Sequence, residues 1–102
     1  MTPRLEYESD LEQYLVKRTA ESGGVALKIG YDGYPDRLLL LPGGRAVFAE
    51  LKRTDGKVSP LQEYRAQVML RLGFEVAFPR SKDDCELILA DALAPEWYDD
   101  EA

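Results

Sequence analysis

Apolar residues recur along the chain in short periodic blocks, which predict an alternation of helices and strands. Leu11, Tyr14 and Leu15 follow the i, i+3, i+4 spacing of one helix face. They predict a first helix over about 9–21, with Ser9 as its N-cap. The glycine pair at 23–24 should end this helix.

The next block predicts strands. Residues 25–29 form a short strand candidate, and Arg37–Leu41 contains four consecutive leucines. A continuous apolar run favours a strand buried on both faces. Pro42-Gly43-Gly44 predicts a tight turn, so the strand predicted over 45–52 should pair with the leucine strand as a hairpin.

The second half of the chain contains the clearest helix start. Ser59 is the predicted N-cap, Pro60 occupies the first helical position, and Gln62 follows three residues after the cap. This pattern is typical of a capping box. The helix should continue through Tyr64 and end near Gly73.

A strand over 74–78 and a helix over Lys82–Leu93, capped by Ser81, complete the predicted order α-β-β-β-α-β-α. The strand–helix–strand stretch over 45–78 should be a crossover between parallel strands. We therefore expect an α/β fold, a mixed sheet flanked by helices. One domain over 1–94 should be followed by an acidic C-terminal tail over 95–102.

Composition narrows the chemistry. The 102 residues include no histidine and one cysteine, Cys85, which excludes a histidine-dependent triad, a cysteine-cluster zinc site and an intrachain disulfide. No apolar run is long enough to span a membrane, and the first seven residues lack a signal-peptide pattern. We therefore expect a cytoplasmic protein that relies on carboxylates, lysines and arginines, which favours magnesium or manganese over softer metals.

Charge is unevenly distributed. The net charge of −6 argues at first against a nucleic-acid partner. By segment it is −2 over 1–27, +4 over 28–82 and −8 over 83–102. The basic middle segment could face a polyanion, but charge alone favours the simpler interpretation, a solvated acidic end that confers solubility.

Charged residues cluster at the open end of the predicted hairpin, away from its turn. Glu50 and Lys52 lie two apart on one strand, so they share a face, while Leu51 points to the opposite face. Asp36 immediately precedes the leucine strand and should lie close to Glu50. If only Glu50 and Lys52 are considered, an ion pair at a strand end would explain them. Two carboxylates in one place repel each other unless a cation bridges them, which favours a metal site.

Asp36 with Glu50-Leu51-Lys52 matches the signature of the PD-(D/E)xK nucleases, and the fuller pattern resembles the virus-type replication–repair nuclease domain, VRR-NUC. The resemblance covers nearly the whole chain and depends on the order and spacing of several short motifs. It implies a restriction-endonuclease-like core. The matching segments are Gly33-Tyr34-Pro35-Asp36-Arg37, Val47-Phe48-Ala49-Glu50-Leu51-Lys52-Arg53, Ser59-Pro60-Leu61-Gln62 and Leu72-Gly73-Phe74-Glu75-Val76.

The resemblance assigns roles by position. It implies that Asp36 and Glu50 bind Mg²⁺ or Mn²⁺, with the Leu51 carbonyl as a further candidate ligand. Lys52 would position or activate the attacking water, or stabilise charge on the phosphate. The family also places a glutamate of the first helix near the metals; Glu12 fits best by spacing, and Glu8 is the alternative.

Residues around these motifs have two interpretations each. Gln62 matches a glutamine beside the family's active site, and it also fits the capping box; the two roles are compatible. Tyr31 and Tyr34 could stack on an unpaired base or pack against the sheet. Four basic residues are candidate DNA contacts, with solvated surface charge as the simpler alternative: Lys28, Arg37, Arg53 and Lys57.

The resemblance therefore implies a metal-dependent DNA endonuclease of the small phage or prophage type. Such domains act as homodimers on branched DNA, including four-way (Holliday) junctions. The alternative is a catalytically silent DNA-binding or assembly module that keeps the fold. A sequence-specific restriction-type nuclease is less favoured, because little chain remains for a base-reading element.

Overall fold

A computed structural model of the protein describes residues 7–53 and 55–94, and it contains the predicted elements in the predicted order. The fold is α/β, as expected. The observed bounds of strands 1, 3 and 4 are shorter than the patterns suggested. Within the described residues the elements are α1 (Glu8–Glu21), β1 (Val25–Lys28), β2 (Arg37–Leu41), β3 (Arg45–Ala49), α2 (Pro60–Arg71), β4 (Glu75–Ala77) and α3 (Lys82–Leu93).

The four strands form one mixed sheet in the order β1-β2-β3-β4. β1 pairs with β2 and β2 with β3 in antiparallel fashion, whereas β3 and β4 are parallel. The hairpin between β2 and β3 turns at Gly43 and Gly44, both of which have positive φ values that glycine adopts without strain. The predicted hairpin and parallel crossover are both confirmed.

One face of the sheet carries the hydrophobic core. Helices α1 and α3 cover this face and bury Leu11, Leu15 and Leu89 against strand residues that include Leu39 and Val47. The expectation that β2 is buried on both faces is wrong. Its side chains alternate, so Leu39 and Leu41 are buried while Leu40 is 42% exposed on the opposite face.

A polar cluster joins the two helices over the core. The carboxylate of Glu86 in α3 accepts hydrogen bonds from Arg18 Nε at 2.7 Å and from the Tyr14 hydroxyl at 2.6 Å. The Arg18 guanidinium and the Tyr14 hydroxyl lower the pKa of Glu86 to about 2. The cluster therefore fixes the position of α3 on α1.

Of the three predicted helix caps, Ser59 and Ser81 are confirmed and Ser9 is not. The Ser81 hydroxyl accepts from the Asp84 amide at 3.1 Å at the start of α3. Helix α1 begins at Glu8 after Tyr7 and has no side-chain cap, so the expected capping by Ser9 is wrong; Ser9 lies inside the helix. Helix α2 begins as predicted, because the Ser59 hydroxyl accepts from the Gln62 amide and the Gln62 side chain accepts from the Ser59 amide.

Strand β3 ends before the charged residues that were expected to lie on it. Its last residue is Ala49 rather than Lys52. The chain nevertheless remains extended along β4, since the Glu50 amide donates to the Ala77 carbonyl at 2.9 Å and the Lys52 amide to the Pro79 carbonyl at 3.0 Å. Glu50 and Lys52 therefore project from one side of a backbone that is held in place.

The predicted acidic tail over 95–102, with Trp97 and Tyr98, lies outside the described residues. Of the described helices, none is both long enough and apolar enough to cross a bilayer.

Candidate active site

Two carboxylates meet at the end of the central hairpin. Arg37 pairs with Ala49 across β2 and β3, so the preceding Asp36 lies opposite the following Glu50. Asp36 Oδ2 accepts a hydrogen bond from the backbone amide of Leu51 at 3.2 Å. The Leu51 side chain is buried in the core on the other face. The hairpin register therefore brings Asp36 and Glu50 together, as the sequence predicted.

Glu50 is buried, with only 5% of its surface exposed. Its Oε2 accepts from Gln62 Nε2 at 2.6 Å and lies 3.5 Å from Lys52 Nζ. Its Oε1 is buried and has no hydrogen-bond partner. Burial, and then the nearby negative charge of Asp36, raise the pKa of Glu50 from 4.5 to about 7, against the opposing effect of Lys52. A carboxylate in this environment is stabilised when it binds a proton or a metal cation.

Gln62 links Glu50 to Lys52 through its side-chain amide. Its Oε1 accepts from Lys52 Nζ at 2.7 Å and from the Ser59 amide at 3.0 Å, while its Nε2 donates to Glu50. The capping role predicted for Gln62 is therefore confirmed, and the same side chain contacts Glu50 and Lys52; its role in catalysis stays a prediction. Lys52 is only 8% exposed, so its ammonium group is directed into this network.

The donor set fits a hard divalent cation. Carboxylate oxygens are the ligands that Mg²⁺ and Mn²⁺ prefer. The unpartnered Oε1 of Glu50 supplies one such oxygen, and Asp36 supplies a second carboxylate beside it. Across residues 7–53 and 55–94, no group of three or more acidic, histidine or cysteine side chains is placed to hold a metal ion. Any ion bound here would therefore complete its coordination with backbone oxygen, water or substrate.

The structure does not bring Glu12 to this pair of carboxylates. Glu12 Oε2 instead accepts from Arg37 Nε at 2.8 Å and lies 3.6 Å from Lys28 Nζ. Arg37 projects from the same face as its strand partner Ala49, which is the core face rather than the face of Glu50. Glu8, the alternative ligand, is exposed in the first turn of α1. The assignment of either glutamate to the metal stays a prediction.

The four candidate DNA contacts lie in different settings. Arg37 is held by Glu12 and donates to the Ala26 carbonyl at 3.2 Å, while Lys28 is largely exposed beside the same carboxylate. Arg53 Nε lies 3.2 Å from Asp55, and its guanidinium lies 5.5 Å from the centre of the Tyr7 ring. Lys57 is exposed. Their contacts with DNA stay predictions.

Sequence reasoning missed Arg80, which follows β4 at the same end of the sheet. Arg80 Nη1 donates to the Arg53 carbonyl at 3.1 Å and to the Gly56 carbonyl. It thereby holds the loop that connects Lys52 to helix α2. The available signal was position: a basic residue three positions after β4, whose last residue, Ala77, accepts from the Glu50 amide.

Comparisons with known proteins place this arrangement in a family. Among solved structures, a chain described as a "VRR_NUC domain" superposes with a TM-score of 0.75 at 27% identity, covering 80% of this chain and 92% of that chain. Among sequences, "Putative nuclease p44" of Acyrthosiphon pisum secondary endosymbiont phage 1 is 36% identical over 83 residues, which span 78% of this chain and 89% of that protein. The chain belongs to the VRR-NUC family. No protein-family model matches it.

Membership in VRR-NUC makes the protein a nuclease by family. The helices and strands that position Asp36, Glu50, Lys52 and Gln62 follow the order expected for the VRR-NUC fold. The resemblance suggested by the sequence motifs is therefore confirmed at the level of fold and family.

Proposed function

We propose that this VRR-NUC protein is a divalent-metal-dependent endonuclease that hydrolyses phosphodiester bonds in branched DNA and acts as a homodimer in the host cytoplasm. The single observation that carries the metal dependence is the buried, unpartnered Oε1 of Glu50 beside Asp36. A buried polar atom without a partner is costly, and a cation removes that cost.

The chain's own residues divide the work. Asp36 and Glu50 would hold the ion, which supplies Lewis acidity to the phosphate and acidifies water when bound. Gln62 keeps Glu50 and Lys52 in a fixed relation through its two hydrogen bonds. Lys52 carries a positive charge beside the acids, where it can orient a water molecule or stabilise an anionic phosphate.

Branched DNA and dimerisation are proposed from the family resemblance, and one surface supports the dimer. Leu40 pairs with Val25 across β1 and β2, and both are exposed on the face that carries Glu50. Leu27, two residues after Val25, is also exposed on this face. An exposed apolar patch of this kind favours a protein interface. A two-fold axis near it would direct two active sites to one side, as paired cuts require.

The proposal is tested by cleavage of single-stranded, forked, flap and four-way-junction DNA with Mg²⁺ or Mn²⁺. We expect the branched substrates to be cut preferentially, and cutting to stop in EDTA. Lys52→Ala should lower the rate by about a hundredfold or more, the scale typical for a positioned charge at a reacting centre. Lys17→Ala, which removes an exposed lysine of α1, is the matched control.

Calorimetric titration with Mn²⁺ separates a nuclease from a silent module. Binding that disappears in Asp36→Asn and Glu50→Gln supports the nuclease. A wild-type protein that binds no Mn²⁺ and cuts none of the substrates would indicate the DNA-binding or assembly module. Cleavage at one sequence in every substrate would instead indicate a restriction-type enzyme.

A further inference from the structure

The loop between β1 and β2 presents an aromatic side chain to solvent beside the active site. Tyr31 is 77% exposed, more than any other large apolar side chain in the described residues. Its ring lies 6.4 Å from the ring of Tyr34 in an edge-to-face arrangement. Packing of Tyr31 against the sheet, one of the two sequence-based interpretations, is therefore wrong for this residue.

The loop between β1 and β2 packs closely against helix α2. The Arg65 guanidinium lies 4.9 Å from the centre of the Tyr34 ring, and the Tyr34 amide donates to the Tyr31 carbonyl at 3.2 Å. Gly33 has a φ of +77°, and a Cβ there would lie 2.5 Å from Leu61 Cγ. Only glycine allows the loop to approach the helix this closely. A ring on a loop whose backbone is held in this way loses less conformational entropy on stacking than a ring on an unsupported loop.

The loop also lies at the end of the sheet that carries Asp36 and Glu50. Tyr31 precedes Asp36 by five residues, and the loop ends are joined by the Ile29 amide, which donates to the Asp36 carbonyl at 2.8 Å. The helix that supports the loop carries Gln62, which contacts both Glu50 and Lys52. A nucleotide next to a phosphate bound at the two carboxylates would therefore lie near this loop.

We infer that Tyr31 stacks on an unpaired base of the DNA substrate next to the scissile phosphate, with Tyr34 and Arg65 supporting it. This inference rests on the proposed function and names the feature that the enzyme recognises in a branch: a base that is free of its stack. Base pairs inside a continuous duplex cannot offer a face to the ring, whereas forks, flaps and opened junctions can. Every base has such a face, so the contact needs no particular sequence.

The test measures binding of fluorescent DNA in Ca²⁺, with a forked duplex that has unpaired arms and a fully paired duplex of the same sequence. Tyr31→Leu should weaken binding of the fork about tenfold to a hundredfold and change binding of the duplex less than about twofold. Tyr31→Phe keeps the ring and should bind the fork like the wild type. Phe74→Leu removes a half-exposed aromatic ring that precedes β4, at the opposite end of the sheet from Glu50, and should bind the fork normally.

Two controls keep this inference separate from the proposed function. Titration with Mn²⁺ should be the same for Tyr31→Leu and the wild type, and an absence of Mn²⁺ binding or cleavage in the wild type would refute the nuclease proposal without altering the fork measurement. Equal binding of the fork by Tyr31→Leu and the wild type would overturn the stacking inference. A change of sedimentation coefficient in Tyr31→Leu would also overturn it, since Tyr31 would then be an interface residue.

Discussion

Replacing Glu50 with glutamine should make the metal-free protein more stable while abolishing its response to divalent ions. In the wild type, Glu50 Oε2 accepts from Gln62, but Oε1 is buried without a partner. The glutamine side chain has nearly the same shape, and its oxygen can accept the same hydrogen bond. It carries no charge, so the desolvation penalty of a buried anion and the repulsion from Asp36 both disappear.

The size of this gain in stability follows from the proton affinity of the Glu50 carboxyl group. Its pKa rises from 4.5 to about 7 in the folded protein. Since a tenfold change in proton affinity corresponds to about 1.4 kcal/mol, the ionised carboxylate opposes folding by up to about 3 kcal/mol above pH 8. The amide must also be desolvated. We therefore expect Glu50→Gln to raise the free energy of unfolding by about 2 kcal/mol at pH 8.

The sign of the pH dependence is fixed by the direction of the pKa change. A carboxyl with a raised folded-state pKa holds its proton more tightly in the folded chain than in the unfolded chain. Its contribution to stability is therefore greatest at low pH and declines as the pH rises from about 4.5 to about 7. Glu50→Gln lacks this decline, so its advantage over the wild type should widen by about 2 kcal/mol between pH 5 and pH 8.

Urea denaturation followed by circular dichroism, in EDTA at both pH values, measures this difference. Glu75→Gln, which removes an exposed glutamate from β4, is the matched control and should show no widening. Added Mn²⁺ at about 100 times its dissociation constant should stabilise the wild type by about 2.7 kcal/mol and leave Glu50→Gln unchanged. A Glu50→Gln protein that is less stable than the wild type at pH 8, or whose advantage does not vary with pH, would refute the reasoning.

Three further substitutions test other parts of the structure. Gln62→Glu should keep the capping box but lose the donor to Glu50, so the metal-free protein should unfold about 1–3 kcal/mol more easily at pH 8 in urea. Arg80→Ala should lower stability by about 1–2 kcal/mol and reduce the cleavage rate, because two loop carbonyls lose their donor; a normal thermal midpoint would contradict this. Leu40→Lys should convert a dimer into a folded monomer in sedimentation experiments, and an unchanged dimer would exclude this face as the interface.

The sequence predicted the geometry of the candidate site well because that geometry depends on local rules. Alternation along an extended chain places Glu50 and Lys52 on one side, and the turn at Gly43-Gly44 fixes the register that brings Asp36 opposite Glu50. The capping box fixes the start of α2 and with it the position of Gln62. Each of these features depends on a few neighbouring residues, so none required knowledge of the whole fold.

The sequence is less informative where a tertiary contact decides the environment of a side chain. Four leucines in a row give no indication of which face a helix will cover, and only the packing of α1 and α3 leaves Leu40 exposed. The spacing of Glu12 predicts its helix face but not its partner, which depends on Arg37 from a strand 25 residues away. Arg80 was missed for the same reason: its role depends on two backbone carbonyls that only the folded loop presents.

The double role of Gln62 makes formation of the first turn of α2 and assembly of the candidate site one cooperative event. Its Oε1 accepts from the Ser59 amide, which closes the first turn of α2, and from the Lys52 ammonium group, which holds that side chain beside Glu50. Fraying of that turn therefore dismantles the network, and a ligand that orders the network also protects the turn. Amide hydrogen exchange at Ser59 should consequently slow when the site is loaded, which makes a single backbone proton a reporter of occupancy.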